Sequence, residues 1–543
     1  RDNKEAIKHF KISLSNNLNC TETLINIGNS YLQLDMIDRA LKYYNEAIEI
    51  NPKYAEAYNN KGNIFRLYKK YDEAIISYNT ALKLKPDLKL LFSSLMFTKM
   101  NVCDWKNICE DRKNFKNILY KKPHYTHHPF SSLSILNDPK DHKMISQRFV
   151  NINYPEQKIL NEIKLNKKDK IILAYISYDF GEHPVTRLMN EIIENHNRSK
   201  FDVIGIYYGP SKTDEMYIKI SKAFDKLINV QDKSDEAISM ICRNLKIDIA
   251  IDLTGHTKGS RIGIFSFRPA PIQVNFLGFP GTTGAKYIDY IIADHTIIPK
   301  HFQRNYTEKI IYLPNSYIPT HDLKQVSSTK FSRKDLNLSE HGFIFCCFNN
   351  SYKISPEIFA IWLKILKLVK ESVLWLSYMT LTARQNLCKE AEAMGIAKER
   401  LIFARKMENY SDHLSRLSFA DLFLDTYPYN AHSTAIDFLS MGVPIITLKG
   451  ETFASRVGAS LLKSLQLLDL ITNSFDAYEK KAVELATNSK EFTIVKNKLR
   501  ENKAKKILFN TVRFTRNIEK GYEAAYENYM NKKKPKTIEI QNN

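Results

Sequence analysis

The chain has 543 residues, of which 43% are hydrophobic and 26% charged, a composition that excludes a disordered chain and allows several domains. It contains no apolar run of the ~20 residues that a membrane-spanning helix needs and no visible signal peptide, so we expect no membrane partner. The net charge of +21 comes from lysines scattered along the sequence, which indicates solvated surfaces rather than a nucleic-acid site, although a positive field also attracts anionic substrates.

Residues 1–90 repeat with a period of 34, the length of a tetratricopeptide repeat (TPR). Small residues, aromatic residues and a proline recur at matching positions: Gly28, Tyr31, Ala40, Tyr44, Ala47 and Pro52 in one unit, and Tyr58, Gly62, Phe65, Ala74, Tyr78, Ala81 and Pro86 in the next. The small residues let two helices approach closely, and the proline stops the second helix. Because such an array needs about three repeats, we expect further repeats before residue 1 or support from the next domain. Its concave surface predicts peptide binding.

Residues 91–165 are interpreted as a helical joining region without chemistry of its own. His124, His127 and His128 lie close together there and could be metal ligands. Because no acidic or cysteine partner is nearby in the sequence, a surface loop is the favoured interpretation.

From Lys170 onward, β-rich runs alternate with helical stretches, which predicts two parallel sheets covered by helices. The predicted strands are 171–178, 201–208, 247–253, 272–276 and 290–293, and then 343–348, 373–377, 401–404, 422–425 and 444–448. Residues 315–335 are polar and predict a linker. The fold class is therefore α/β, with Rossmann-like lobes over 166–320 and 335–480, a helical tail over 481–543, and an all-α TPR solenoid in front.

Polar and glycine-rich motifs follow the predicted strands of the first lobe. After the first strand, Gly181 permits a tight turn and His183 is expected to face the cleft, with a structural role as the alternative. After the third strand, His256 and Thr257 lie beside a carboxylate and a lysine, which suits a polar substrate. The fourth strand runs into a loop whose backbone N–H groups and hydroxyl could approach a ligand: Gly278, Pro280, Gly281 and Thr282.

The second lobe offers cationic and helix-end groups. Lys353 comes just before a helix that begins at Ser355 and Pro356, and a cation there could neutralise a departing diphosphate, unless it is a solvated lysine. A helix that begins near Ser433 would present free N–H groups to an anion, with Asp437 one turn further as a partner for a ribose diol. Arg456 is either a phosphate ligand or half of an interlobe ion pair.

We find no Asp-x-Asp pair, Walker A motif or GxGxxG fingerprint in the sequence. Cationic side chains and helix ends are therefore expected to bind the diphosphate in place of a metal. No metal ligands and no cofactor are predicted.

These motifs, in this order, resemble those of the O-GlcNAc transferases over almost the whole chain. The resemblance implies a GT-B fold and a relationship to the SPINDLY proteins. It also implies an inverting, metal-independent protein O-glycosyltransferase that moves N-acetylglucosamine from UDP-GlcNAc to Ser or Thr of intracellular proteins. Protein or peptide acceptors are then expected along the TPR groove.

The resemblance further implies roles for single residues. Lys353 matches the lysine that binds the diphosphate and assists its departure, and Asn350 lies where animal members have a glutamine near the phosphates. The uracil-stacking histidine corresponds to His413, and the ribose-binding aspartate to Asp437. The phosphate-binding His-Thr-Thr segment corresponds to His432, Ser433 and Thr434.

In the first lobe, Gly278 and its neighbours match the loop that contacts the sugar, and His183 matches a histidine considered as general base. The sequence also departs from the animal pattern. Arg187 replaces a second histidine, His256 replaces a tyrosine, and Tyr410 replaces a lysine near the ribose. The long insert between the lobes is absent, as in the compact bacterial-type form. The identity of any general base stays open.

Other functions remain alternatives. A SPINDLY-type protein O-fucosyltransferase would use GDP-fucose, but the segments 431–434 and 454–457 favour a UDP-sugar. UDP-glucose, a catalytically inactive scaffold that binds peptides, and nucleic-acid binding also remain. Seven scattered cysteines without a CxxC pair argue against disulfides and zinc, and predict a reducing compartment, cytoplasmic or, in a eukaryote, nuclear.

Overall fold

The computed structural model describes residues 3–16, 20–157, 168–320 and 331–541. They form two compact units. The first unit takes in Arg1–Ile135, Asn350–Tyr352 and Met379–Glu390, and the second takes in Leu136–Asn349, Lys353–Tyr378 and Ala391–Asn543. None of the helices in these described ranges combines the length and the apolar character that crossing a membrane requires.

The first unit is built from helices packed against their sequence neighbours: α1 (Asn3–Asn16), α2 (Thr21–Gln33), α3 (Ile37–Ile50), α4 (Ala55–Leu67), α5 (Tyr71–Leu84), α6 (Leu91–Asn101), α7 (Ile108–Lys121) and α8 (Pro129–Ser132). The repeated glycines lie against the repeated tyrosines. A Cβ atom added to Gly28 would lie 2.4 Å from the Tyr44 ring, and one added to Gly62 would lie 2.6 Å from the Tyr78 ring. The small residues therefore set the close packing of each helix pair, as the repeat pattern predicts.

The histidines of the joining region have different environments. His124 is exposed, as a surface loop predicts. His127 is buried, with its ring centroid 3.5 Å from that of Phe115 and its Nε2 3.0 Å from the Phe115 carbonyl oxygen. The surface-loop prediction is wrong for His127, because the imidazole packs as a core aromatic ring. Across the described ranges, no group of three or more His, Cys, Asp or Glu residues could hold a metal ion.

The second unit holds two parallel sheets. The strands are β1 (Ile171–Ser177), β2 (Phe201–Tyr207), β3 (Lys226–Asn229), β4 (Ile249–Asp252), β5 (Ile272–Asn275), β6 (Tyr290–Asp294), β7 (Lys309–Leu313), β8 (Ile344–Cys347), β9 (Val373–Leu376), β10 (Leu401–Phe403), β11 (Leu422–Leu424), β12 (Ile445–Leu448), β13 (Ile471–Thr472) and β14 (Ile538–Glu539). One sheet has the order β14-β7-β6-β5-β4-β1-β2-β3, and the other has the order β10-β9-β8-β11-β12-β13. The two predicted Rossmann-like lobes are thus present.

Helices flank the sheets of the second unit. Those that precede or belong to the first lobe are α9 (Pro139–Asn153), α10 (Pro184–Asn195), α11 (Glu215–Ala223), α12 (Asp235–Asn244) and α13 (Gly263–Ser266), and those that follow the first strand of the second lobe are α14 (Pro356–Leu368), α16 (Tyr410–Leu417), α17 (Ser433–Ser440), α18 (Val457–Ser464), α19 (Phe475–Thr487), α20 (Ser489–Ala504) and α21 (Thr511–Met530). Most of α15 (Leu381–Ala393) belongs to the first unit. Near-continuous apolar strands such as β4 and β8 are buried on both faces, which is typical of parallel sheets.

Two predicted boundaries fall partly on undescribed residues. Residues 158–167 and 321–330 lie outside the described part of the chain, and with them the predicted start of the first lobe and most of the linker. The described beginning of the linker is not solvent-exposed. Tyr317 is buried, with its ring centroid 4.9 Å from that of Phe453 in an edge-to-face contact. These residues contribute to the core instead of forming a free connection.

The tail returns to the first lobe. Its last strand, β14, pairs with β7, and α21 lies against β7 and α10. The segment after residue 480 is therefore not only helical, because its end extends the first sheet.

Candidate active site

The carboxyl ends of β8 and β11 bring the candidate diphosphate residues together. These two strands are parallel neighbours, so the loops that follow them leave the sheet at the same edge. Ile354 and Pro428 form an isolated antiparallel bridge between the two loops. The Ser355 hydroxyl then accepts the N–H of Ile358 and caps α14. This local structure fixes Lys353 directly before the helix.

Lys353 is buried, with only 8% of its surface exposed. Its Nζ donates to the carbonyl oxygen of Asn430 at 2.9 Å and lies 3.8 Å from the Tyr429 ring centroid. Burial lowers the pKa of Lys353 to about 7, with the nearby Asp425 carboxylate acting in the opposite direction. The solvated-lysine alternative is therefore wrong. The ammonium group is held by the carbonyl group of Asn430, which lies three residues before the start of α17.

Asp425, at the end of β11, organises the loop that holds Lys353. One carboxylate oxygen accepts the N–H groups of Thr426 and Ala431, at 2.9 Å and 2.6 Å, and the other accepts the Thr447 hydroxyl at 2.6 Å. Burial raises the pKa of Asp425 to about 7. The sequence alone predicts no role for Asp425, although its position directly after a buried strand is an available signal.

His432 precedes the first residue of α17 and does not cap the helix with its side chain. Its Nε2 is buried and has no hydrogen-bond partner within the described ranges. Burial, with a smaller contribution from Lys353, keeps the pKa of His432 far below the ordinary value, so the imidazole is neutral. Ser433 and Thr434 are half-buried on the first turn. An ammonium group, an imidazole and two hydroxyls thus converge on one helix N-terminus, which suits an anion.

Asp437 lies one turn further along α17 and is buried. It accepts a 2.6 Å hydrogen bond from the Tyr410 hydroxyl of α16. Burial raises the pKa of Asp437 to about 7, and the Tyr410 hydrogen bond and the charge of Arg187 oppose that rise. The carboxylate is therefore pre-oriented beside the anion site.

His413 follows on the same helix as Tyr410, with the two rings stacked at 6.1 Å and 23°. Its Nδ1 accepts a 2.8 Å hydrogen bond from Arg416, which leaves Nε2 as the protonated ring nitrogen. Burial lowers the pKa of His413 to about 3, so the ring is neutral. A neutral imidazole with a fixed plane can stack on a base, as the resemblance implies for this position.

The first lobe contributes His183 as the N-cap of α10. Its Nδ1 accepts the N–H of Val185 at 3.3 Å, and its Nε2 lies 3.7 Å from the Asp179 carboxylate. Burial lowers the pKa of His183 to about 4 and raises that of Asp179 to about 6. A neutral imidazole has one basic ring nitrogen, and in His183 that nitrogen, Nδ1, already accepts the N–H of Val185. The geometry therefore favours a capping role over that of a general base.

Packing accounts for much of the glycine-rich loop. A Cβ atom on Gly278 would lie 2.1 Å from the Leu253 carbonyl oxygen. Thr282 donates to the buried carboxylate of Glu308 at 2.6 Å, and the N–H of Thr283 donates to the same carboxylate at 2.7 Å. Glu308, for which the sequence predicts no role, therefore holds the loop that contains Pro280 and Gly281.

His256 and Thr257 are also engaged within the protein. His256 is fully buried, lies edge-on to Phe149 and Phe279, and donates from Nε2 to the Thr283 carbonyl oxygen at 2.7 Å. Thr257 donates to the Thr254 carbonyl oxygen at 2.8 Å. Asn350 is exposed and belongs to the first unit. Donor binding by these residues stays a prediction.

Arg456 joins the two lobes. Its Nε donates to the carbonyl oxygen of Thr296 in the first lobe at 2.6 Å, and its Nη1 donates to that of Gly450 at 2.7 Å. These contacts favour the interlobe interpretation over a phosphate ligand, although the partners are carbonyl groups and not a carboxylate.

Comparisons with known proteins place the chain in a family. The model of glycosyl transferase family 41 matches residues 102–327 and 324–518, and the tetratricopeptide repeat model matches residues 21–54 and 55–88. The chain therefore belongs to glycosyltransferase family 41 and carries tetratricopeptide repeats. The predicted family and fold are confirmed.

Two relatives are similar to this chain over about 70% of its length. The SEC protein of Arabidopsis thaliana, described as a probable UDP-N-acetylglucosamine–peptide N-acetylglucosaminyltransferase, is 36% identical over 381 residues, which are 69% of this chain and 39% of that protein. SPINDLY of Solanum lycopersicum, described in the same words, is 29% identical over 414 residues, or 73% of this chain and 44% of that protein. The chain thus spans about two fifths of the length of these relatives.

An O-GlcNAc transferase from Thermobaculum terrenum shares the fold, with a TM-score of 0.74, 22% identity and coverage of 98% of this chain and 99% of that one.

Proposed function

We propose that this protein transfers N-acetylglucosamine from UDP-GlcNAc to Ser or Thr hydroxyls of proteins, with inversion at the anomeric carbon and without a metal. The observation that carries the proposal is the buried Lys353 ammonium group held at the loop that leads into α17. Similarity to SEC, which is described as acting with UDP-N-acetylglucosamine on peptides, supports the donor and the acceptor class.

The proposed reaction is a displacement at one carbon. The acceptor oxygen forms a bond to the anomeric carbon as the bond from that carbon to the β-phosphate oxygen of UDP breaks. Negative charge then develops on the diphosphate, where Lys353 and the first turn of α17 would stabilise it. The hydroxyl proton leaves to a base that we do not assign. Because Lys353 and the first turn of α17 would neutralise this charge, the scheme needs no divalent cation.

The nucleoside has its own set of residues. Asp437 would accept hydrogen bonds from the ribose diol, and His413 would stack on the uracil ring. Peptide acceptors would bind along the repeats of the first unit, because arrays of such repeats form a concave binding surface.

Transfer assays with three radiolabelled donors test the proposal: UDP-GlcNAc, UDP-glucose and GDP-fucose. Each is incubated with the full chain and a mixture of peptides that contain serine and threonine, with and without EDTA. We expect transfer from UDP-GlcNAc at the same rate in EDTA. Transfer only from GDP-fucose would instead assign a SPINDLY-type fucosyltransferase, and loss of transfer in EDTA would contradict the metal-free scheme. Failure of UDP to raise the melting temperature would favour a non-catalytic scaffold.

A further inference from the structure

An arginine of the first lobe lies on a tyrosine of the second. The guanidinium carbon of Arg187, on α10, is 3.8 Å from the ring centroid of Tyr410, on α16. A cation at this distance from an aromatic face is attracted by the ring, more strongly where both groups are partly removed from water. Arg187 is also paired with Glu182, and its Nε is buried without a hydrogen-bond partner in the described part of the chain.

The contact continues to the candidate ribose residue. The Tyr410 hydroxyl donates to one carboxylate oxygen of Asp437 at 2.6 Å. Tyr410 from α16 and Arg187 from α10 are the groups that act on the charge of Asp437, while Glu182 balances Arg187 and the neighbouring His413 is neutral. A continuous series of contacts therefore runs from Glu182 through Arg187 and Tyr410 to Asp437, from one lobe to the other.

We propose that Arg187 and Tyr410 form an interlobe clamp that positions the Asp437 carboxylate for a nucleoside diphosphate sugar. The clamp rests on the proposed function, because it takes Asp437 as the ribose-binding residue. Tyr410 occupies one carboxylate oxygen and directs the other toward the diol. Arg187 holds the tyrosine ring from the opposite lobe, so donor affinity depends on closure of the lobes.

The clamp also controls the charge of Asp437. Burial raises the pKa of Asp437 to about 7, and the positive charge of Arg187 limits that rise. If Arg187 is neutralised, the pKa of Asp437 rises further and more of the carboxyl group is protonated at neutral pH. A protonated carboxyl accepts fewer hydrogen bonds from the diol. Donor affinity should then fall at low pH and recover at high pH.

Calorimetric binding of UDP to the full chain at pH 6.5, 7.5 and 8.5 tests the clamp. Wild type is compared with Arg187→Met, Arg187→Lys, Tyr410→Phe and the double variant, with Arg304→Met as an exposed arginine control from the same lobe. We expect Arg187→Met to weaken UDP binding roughly tenfold at pH 6.5 and much less at pH 8.5. Arg187→Lys should keep the wild-type pH profile, and the double variant should lose less than the sum of the two single losses.

Kinetics separate positioning from chemistry. In transfer assays the donor KM should rise in Arg187→Met while kcat changes little. Melting temperatures identify any variant that fails to fold, and in that event Arg187→Lys and Tyr410→Phe carry the test. An unchanged affinity and pH profile in Arg187→Met, together with loss of UDP binding in Asp437→Asn, would refute the clamp and leave the donor site intact. Unchanged UDP binding in Asp437→Asn would overturn the ribose assignment and the clamp with it.

Discussion

At the scale of single residues, burial decides what Lys353 can do. An exposed lysine is hydrated and mobile, whereas this ammonium group donates to a backbone carbonyl and lies on an aromatic ring. Desolvation weakens its preference for the charged form, and a bound diphosphate would restore that preference. Negative charge that develops on a diphosphate beside Lys353 would therefore offset the desolvation cost of the buried ammonium group most fully.

Replacing Lys353 by methionine tests this reasoning, because methionine keeps much of the volume and removes the charge. We expect transfer to fall about 10²–10³-fold, the usual cost of removing one preorganised charge-stabilising donor. Lys364→Met on the exposed face of α14 is the matched control and should retain wild-type activity. Turnover close to wild type in the folded Lys353→Met variant would contradict the role.

His183 allows a separate test, since Asn and His can both cap α10 but only His can serve as a base. His183→Asn should keep the cap, which Asn supplies well, and most of the activity. Loss of a general base would instead lower the rate by about 10²–10⁴-fold. Single-turnover rates of the two proteins, with circular dichroism to verify folding, distinguish these outcomes.

At the scale of elements, the sequence predicts what depends on local pattern. Ten apolar runs lie where the structure has strands, because a buried parallel strand needs an apolar run. Four strands were not predicted. The buried β7 (Lys309–Leu313) has an apolar run that the prediction missed, whereas the half-exposed β3 and the two-residue β13 and β14 are short and depend on pairing with distant partners.

The same limit applies to the site. Residues near the start of a helix that follows a strand, such as Lys353 and Asp437, could be proposed from the sequence. Glu308 could not be proposed, because its importance depends on a loop 25 residues away that folds onto it. The contact between Arg187 and Tyr410 could not be predicted either, because it depends on how two lobes meet.

The helix α21 provides the prediction at this scale. Glu519 accepts a 3.0 Å hydrogen bond from His196 Nδ1 and the N–H of Asn197 at 2.7 Å, inside the first lobe. Burial alone would raise the pKa of Glu519, but hydrogen bonds from His196 and Arg516 lower it overall. Burial lowers the pKa of His196 from its ordinary 6.5. Removing the Glu519 charge should cost about 1–3 kcal/mol of unfolding free energy near neutral pH.

Protonation of Glu519 at low pH should also lower the free energy of unfolding. Both pKa values are lowered in the fold, so the unfolded chain binds more protons once the pH falls below 6.5 and then below 4.5. Stability contributed by the pair is present above these values and is lost as the pH falls. Urea unfolding of wild type and Glu519→Gln is compared from pH 7 to 3, with the exposed Glu527→Gln as control, and the two stabilities should converge only below pH 4.5, where the wild-type carboxylate becomes protonated. Curves that stay parallel across this range would exclude the linkage.

At the scale of the whole second unit, polar side chains join the two lobes. Ser460 of α18 donates to the buried Asp294 carboxylate at 2.6 Å, and Tyr317 donates its N–H to the same oxygen at 2.9 Å. Arg456 adds carbonyl contacts next to this pair. Together with the pairing of β14 and β7, these bonds connect the parts of the second unit.

Arg456→Ala should loosen this junction. The variant leaves the Thr296 and Gly450 carbonyl groups without a charged donor, at a cost of about 1–3 kcal/mol. Because the loss lies between the lobes, urea unfolding should separate into two transitions, and the donor KM should rise through poorer closure. Arg500→Ala, an exposed arginine on α20, is the control and should unfold as wild type does. A single transition at the wild-type midpoint in Arg456→Ala would show that the lobes are held together without this residue.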